Sequence, residues 1–184
     1  MSSSSRPFDP LRLDVERFAR DGARLEGEWP LAGMTRLVEA CHADDPARAE
    51  DTVAWQARGE IRRTNGESQT WLELSLRTCL KLTCQRCLGA VSTPLAVDHR
   101  FRFVDGEAKA AALDADAEED VLASTRSLDL RTLAEDELLL ALPIVPRHDA
   151  CPTLLPLASA GLDDEASAEP SPFAVLAGLK KARH

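Results

Sequence analysis

Two pairs of side chains along the chain have the types and spacing of metal ligands. Cys84 and Cys87 form a C-x-x-C pair, whose thiolates reach one tetrahedral ion because the two residues between them turn tightly. His148 and Cys151 form an H-x-x-C pair further along. Together the four residues would complete a Cys₃His set for one zinc ion. Since 60 residues lie between the two pairs, the fold has to bring them together.

Two other interpretations of these cysteines stay open. Free cysteine is often a small buried apolar residue, and a C-x-x-C pair also occurs as a redox dithiol. The pair follows one strand pattern and precedes another, which favours a metal knuckle. Cys41 and Cys79 are predicted to lie outside the set: Cys41 in a helix before a surface His42, and Cys79 on the strand face opposite to that of Cys84.

No arrangement typical of an enzyme occurs in the sequence. The chain lacks phosphate-binding glycine loops, the G-x-S-x-G elbow and the H-E-x-x-H helix. His148 and Cys151 are near enough in sequence for a nucleophilic pair, but no third orienting group or oxyanion-hole loop accompanies them. The sequence therefore predicts a protein without catalytic residues and without a small-molecule substrate.

The charges are segregated along the chain. The net charge of −9 argues against a general polyanion binder, yet residues 52–102 hold eight basic and four acidic side chains. Arginine dominates this stretch, and it binds phosphate in a planar, bidentate way. A candidate RNA-binding set consists of Trp71 as a base-stacking platform and the cations around it: Arg58, Arg62, Arg63, Arg77, Lys81, Arg86, Arg100 and Arg102. The alternative is that these cations only solvate the wet face of a sheet.

Length and composition are those of a globular protein. The chain has 184 residues, of which 44% are hydrophobic and 29% charged. Five cysteines are too few for a disulfide scaffold and favour a reducing compartment. Without a secretory h-region or an 18-residue apolar run, we expect a cytoplasmic protein with no membrane partner.

Apolar alternation predicts strands at residues 11–15, 53–63 and 72–82, and at 95–103 after Pro94. The Asn65-Gly66 pair predicts a tight hairpin between the second and third of these. Helical spacing occurs at residues 34–41, and again before Pro143, where Asp129 or Thr132 would cap the helix. The fold class is therefore α+β: an antiparallel sheet, as a meander or partial barrel, with two or three flanking helices.

The remaining segments are predicted from composition. Residues 105–127 begin with an acidic, alanine-rich run and are predicted to form a flexible acidic loop. Residues 1–7 are expected to be a disordered tail. Residues 152–184 are expected to be a mobile tail that carries a docking segment at 173–181, leaving residues 8–151 as a single domain.

Three segments of the sequence, taken in order, resemble the YceD family of large ribosomal RNA subunit accumulation proteins. They are Cys84-Gln85-Arg86-Cys87-Leu88, residues 135–149 (EDELLLALPIVPRHD) and residues 172–180 (PFAVLAGLK). The opening Phe8-Asp9-Pro10-Leu11-Arg12-Leu13, with Gly27 and the Arg36-Leu37 pair, is similar to the family's N-terminal segment.

The resemblance implies a ribosome-biogenesis factor that acts in the synthesis, processing or stability of 23S ribosomal RNA. Its implied partners are 23S rRNA or a large-subunit precursor, together with ribosomal proteins or other assembly factors. The alternative is a protein adaptor in large-subunit assembly that does not contact RNA. The family brings no catalytic residue. Its second cysteine cluster corresponds here to His148 and Cys151, a shortened version with one histidine and one cysteine.

Overall fold

The structure, a computed structural model, describes residues 7–45, 50–64 and 66–152. Five strands form one open sheet in chain order: β1 (Arg24–Pro30), β2 (Thr52–Thr64), β3 (Glu67–Thr83), β4 (Ala90–Val104) and β5 (Asp120–Ala123). Strands β1 to β4 pair antiparallel, and β5 runs parallel to β4. The predicted α+β class with an antiparallel sheet is confirmed, and the sheet is an open meander.

Four α-helices accompany the sheet in the described residues: α1 (Val15–Arg20), α2 (Thr35–Glu39), α3 (Glu107–Asp114) and α4 (Leu130–Leu140). Asp129 caps α4, because its carboxylate accepts hydrogen bonds from the backbone N–H groups of Arg131 and Thr132. None of these helices has the length and apolar character needed to cross a bilayer.

The long strands bury one face and expose the other. Leu72, Leu74, Leu76, Leu80 and Leu82 of β3 are all at most 3% exposed. In the register, Leu72 lies opposite Phe101 of β4 and Gly59 of β2, so one face of the sheet is continuously apolar. We call this the inner face and the opposite one the outer face. The register Thr64↔Glu67 confirms the predicted hairpin, and Gly66 adopts φ +84°.

Helix α1 lies on the inner face of β2 at a position that only glycine fits. A Cβ atom on Gly59 would lie 2.7 Å from Cδ1 of Phe18 and 2.8 Å from the Ala19 backbone. The Gly59 N–H also donates to the carbonyl of Ala23, 3.0 Å away. The contact with β2 therefore extends beyond the C-terminal end of α1. Helix α1 and strand β2 can approach this closely only because Gly59 has no side chain.

The predicted strand at residues 11–15 is wrong. Only Leu13 forms a β-bridge, to Leu128, and α1 begins at Val15. The reason is Asp14, whose carboxylate accepts from the N–H of Arg17 and caps the helix. Strand β1 follows α1 and was not anticipated from the sequence.

Strand β4 begins earlier than predicted. It starts at Ala90 and continues through Pro94, which lies opposite Cys79. Proline cannot donate a ladder hydrogen bond and is tolerated where a strand has an open side. In the described residues β4 is paired on its second side only from Phe101 to Val104, so Pro94 lies outside that paired stretch.

The acidic segment 105–127 is more ordered than a loop. It contains α3 and β5, which pack on the end of β4 through Val104, Ala110 and Val121. The alanines of the segment therefore form a helix with a small apolar contact surface of its own. Except for Pro7 and Pro152, the two predicted tails, with the docking segment 173–181, lie outside the described residues.

Candidate metal centre and nucleic-acid face

The two predicted ligand pairs come together in the structure. Sγ of Cys84 lies 3.8 Å from Sγ of Cys151, and Sγ of Cys87 lies 3.5 Å from Nδ1 of His148. All four candidate ligand atoms lie within 4.8 Å of one another. A tetrahedral zinc site with Zn–S near 2.3 Å and Zn–N near 2.0 Å has S···S and S···N edges of about 3.8 and 3.5 Å. The spacing of these atoms fits such a site.

The first pair sits on a tight turn between β3 and β4. Within this turn the N–H of Cys84 donates to the carbonyl of Gly89, and the N–H of Leu88 donates to the carbonyl of Cys84. Leu88 adopts φ +60°, a left-handed conformation that is uncommon for a residue with a side chain. We call residues 84–89 the knuckle. Its folding back on itself aims both thiols at one point.

The second pair is tied to the knuckle by hydrogen bonds. The N–H of Gln85 donates to the carbonyl of Pro146 at 2.8 Å. Nε2 of His148 is 3.0 Å from the carbonyl oxygen of Ala90. Because a carbonyl only accepts, Nε2 must carry the proton, which leaves the lone pair on Nδ1 beside Cys87. Metal-bound histidines are oriented by hydrogen bonds of this kind.

The protonation of the thiols differs across the cluster. Burial opposes ionisation of Cys84, but hydrogen bonds from the backbone N–H groups of Arg86 and Cys87 and from His148 lower its pKa to about 5. The pKa of Cys87 is raised: the N–H of Gly89 lowers it, but burial and the thiols of Cys151 and Cys84 outweigh that effect. Neighbouring thiols therefore oppose each other's ionisation, and a divalent cation would relieve this opposition.

Arg86 lies at this cluster and not on the sheet with the other predicted RNA-binding cations. Its Nε donates to Sγ of Cys151 at 2.9 Å, and Nη2 donates to the carbonyls of His148 and Asp149. The guanidinium thus holds the second pair beside the knuckle and compensates thiolate charge.

Two further sequence interpretations concern residues near the knuckle. Cys41 and Cys79 are not among the four clustered ligands, and the thiol of Cys41 contacts the carbonyl of Leu37. His42, expected at the surface, is only 8% exposed. Both ring nitrogens are hydrogen-bonded within the protein, since Nε2 donates to the carbonyl of Leu88 and Nδ1 accepts from the N–H of Asp44. This histidine supports the knuckle, a role that its sequence position did not indicate.

Three of the predicted cations of the sheet lie around one carboxylate on the outer face. Glu73 of β3 pairs with Arg58 at 4.0 Å, Arg62 at 3.1 Å and Arg100 at 3.2 Å. Elsewhere on this face Arg77 pairs with Asp98, Lys81 with Asp45, and Arg102 with Glu119. Arg63 is exposed, with no ion pair among the described residues. The basic stretch is therefore largely paired with acidic side chains within the chain.

Trp71 is not an open stacking platform. Its side chain points to the outer face but is only 8% exposed, because the guanidinium of Arg62 lies 4.7 Å from its ring centroid. The indole Nε1 donates to Oε1 of Gln69. A base could not reach the ring without displacing Arg62. Both residues line an open cleft of about 640 Å³.

A second group of titratable residues, which the sequence did not reveal, joins β4, β5 and α4. Nδ1 of His99 is 2.6 Å from Glu137, and Nε2 is 3.2 Å from Asp120. Glu137 is 6% exposed, and its carboxylate contacts this imidazole. The three residues are far apart in sequence, and no local pattern marks them.

Comparison with known proteins relates the chain to one family and to several curated proteins. The family described as "Large ribosomal RNA subunit accumulation protein YceD" matches residues 72–180, a range that contains the whole Cys₃His cluster. The Large ribosomal RNA subunit accumulation protein YceD of Haemophilus influenzae (strain ATCC 51907 / DSM 11121 / KW20 / Rd) is 35% identical over 103 residues. These residues make up 54% of this chain and 59% of the relative. No solved structure matches the chain significantly.

Proposed function

Because the chain belongs to the YceD family of large ribosomal RNA subunit accumulation proteins, we propose that it acts in large-subunit biogenesis and is needed for 23S rRNA to accumulate. The observation that carries this proposal is the family match over residues 72–180. The chain spans 59% of the length of the curated relative. The activity and the partners of this chain are therefore stated as proposals. We propose a non-catalytic role.

Depletion tests this role directly. Loss of the protein from cells should lower mature 23S rRNA relative to 16S rRNA, because the large subunit would be the one that fails to accumulate. The ratio is measured on total RNA during depletion and again after re-expression of the wild-type chain. An unchanged ratio, or an equal fall of both RNAs, would contradict the proposal.

We propose that the outer face contacts the RNA of a large-subunit precursor. The side chains of Arg58, Arg77 and Arg100 are 46%, 52% and 63% exposed. Exposed ion pairs contribute only about 0–1 kcal/mol each. Phosphate groups could therefore replace the carboxylate partners of these arginines at small cost, with binding energy from counterion release.

The alternative function is a protein adaptor that does not contact RNA. It is favoured by exposed apolar side chains at the C-terminal end of α4 and just after it, where Leu140, Ile144 and Val145 are 80%, 97% and 57% exposed. Apolar side chains clustered at the surface often contact another protein. Reversing the charge at Arg58, Arg77 and Arg100 distinguishes the two functions: cross-linking to RNA is lost if the outer face binds RNA, and cellular function persists if the protein is an adaptor.

We also propose that the Cys₃His cluster holds one zinc ion with a structural role. Three thiols and one imidazole suit a closed tetrahedral zinc site, and the tautomer set by Ala90 leaves Nδ1 of His148 free to coordinate. Bound zinc would join the β3–β4 knuckle to the chain that follows α4. The ion is a structural cross-link in this proposal, and no reaction is assigned to it.

Metal analysis of protein purified without chelator tests the zinc site. We expect about one equivalent of zinc per chain, lost in Cys84→Ser because a closed site does not tolerate the loss of a thiolate. Cys79→Ser is the matched control, since Cys79 is exposed and lies outside the cluster. Absence of metal from the wild-type protein, or equal metal content in both variants, would refute the site.

A further inference from the structure

The cleft of about 640 Å³ lies against the outer face, between the sheet and the acidic segment. Its volume falls in the range of roughly 300–1,000 Å³ that is typical of small-molecule sites. Its lining includes side chains from β2, β3, β4 and the segment before β5: Arg62, Trp71, Asp98, Arg100, Glu118 and Glu119. Two arginines and an aromatic ring thus share a cleft with four carboxylates, since Glu73 also lines it.

Arg62 is held in a fixed orientation by its partners. Its Nε donates to Glu60 and its Nη2 to Glu73, while one side of its guanidinium covers the indole of Trp71. Two of the three guanidinium nitrogens are therefore engaged by carboxylates. The side chain is 33% exposed and lines the cleft, so the guanidinium face turned away from Trp71 is available to a ligand.

The charges of the cleft favour a neutral ligand with donor groups. The four carboxylates that line the cleft outnumber its two arginines and disfavour a phosphate placed inside it, although Asp98 and Glu119 are also paired with Arg77 and Arg102. These carboxylates can accept hydrogen bonds from the exocyclic amino group of an adenine, cytosine or guanine. Arg100 also lines the cleft and is 63% exposed, so it can meet a phosphate at the rim.

We propose that the cleft binds an unpaired nucleobase of single-stranded RNA, stacked on the guanidinium plane of Arg62, with Arg100 contacting the adjacent phosphate. Trp71 supports Arg62 from beneath and does not itself meet the base. Arginine planes are established stacking surfaces for unstacked RNA bases, whereas bases inside a duplex are already stacked and paired. This inference rests on the proposed contact with RNA and adds to it the form of RNA recognised.

The test compares three fluorescent probes of about ten nucleotides on the full chain, by anisotropy at fixed salt. The first is single-stranded RNA, the second is the same strand annealed to its complement, and the third is a ribose-phosphate chain of equal length without bases. The key variant is Arg62→Lys, which keeps the charge and removes the plane. Arg63→Lys is the matched control, since it makes the same change at the exposed neighbour.

We expect the wild-type chain to bind single-stranded RNA about tenfold more tightly than the base-free chain, as one stacking contact predicts. Arg62→Lys should abolish this preference and leave binding of the duplex unchanged, while Arg63→Lys alters each affinity by less than about twofold. Equal binding of RNA and the base-free chain, or equal effects of the two variants, would overturn the inference but leave RNA contact standing. No binding of any probe by the wild-type chain would overturn RNA contact as well.

Discussion

At the scale of single residues, an arginine's partners decide what it can do. Arg86 and Arg62 both appear in the sequence as phosphate-binding candidates within one basic stretch. Arg86 instead donates to Sγ of Cys151, and Arg62 donates to two carboxylates while it covers Trp71. Residue type and local charge could not distinguish these roles, because the partners lie up to 65 positions away.

The contact between His99 and Glu137 is expected to stabilise the fold. His99→Ala should lower the free energy of unfolding by about 1–3 kcal/mol, because it leaves the buried carboxylate of Glu137 without its hydrogen-bond partner. Urea denaturation measures the effect. Asp120→Asn is the control and should cost less than about 1 kcal/mol, since the Asp120 side chain is 51% exposed.

A double-variant cycle checks the cause. If His99 acts through Glu137, adding Glu137→Leu to His99→Ala should restore much of the lost stability, because no charge then needs a partner. Equal costs of His99→Ala in the presence and absence of the Glu137 carboxylate would contradict this explanation.

At the scale of elements, the sequence predicts best where the pattern is long and one-sided. The alternation of leucines in β3 and the Asn65-Gly66 pair predict the central hairpin, since burial of one face fixes both strand identity and register. Short elements were predicted less well. Residues 11–15 have strand-like alternation, but a single cap at Asp14 and tertiary packing convert the following residues into α1.

Helix α2 depends on residues that are distant in the sequence. It has five residues, and the N–H groups of Arg36 and Leu37 in its first turn donate to the carboxylate of Glu135 in α4. The guanidinium of Arg36 also pairs with Asp136. A helix this short is marginal in isolation, so α4 supplies the cap that its own sequence lacks.

The packing of α1 on β2 is expected to depend on the absence of a side chain at Gly59. Gly59→Ala should destabilise the fold by about 1–3 kcal/mol, because the new Cβ overlaps Phe18 and the Ala19 backbone. Gly33→Ala is the control: its nearest neighbour would be an Arg131 side-chain nitrogen at 3.5 Å. We expect stability there to be unchanged or raised by up to about 1 kcal/mol. Equal thermal midpoints for Gly59→Ala and the wild type would show that α1 does not need this close approach.

At the scale of the whole molecule, the four metal-ligand candidates were predicted as a set, whereas their meeting depends on the fold. The hydrogen bond from Gln85 to Pro146 brings the chain after α4 back to the knuckle, across a separation that no sequence pattern spans. The charge distribution of the surface also depends on the fold. A chain of net charge −9 presents exposed arginines on one sheet face, but acidic residues of the same chain pair with most of them.

We propose that the outer face binds RNA of the large-subunit precursor through its phosphates. The most direct measurement is co-sedimentation of the protein with precursor particles across a salt series. Phosphate-dominated binding predicts association at about 50 mM salt and release by about 200 mM. Simultaneous charge reversal at Arg77 and Arg100 should abolish the association at low salt. Association that persists through the series and survives the reversal would show that the outer face does not bind RNA through phosphates, as would failure of the wild-type protein to associate at low salt.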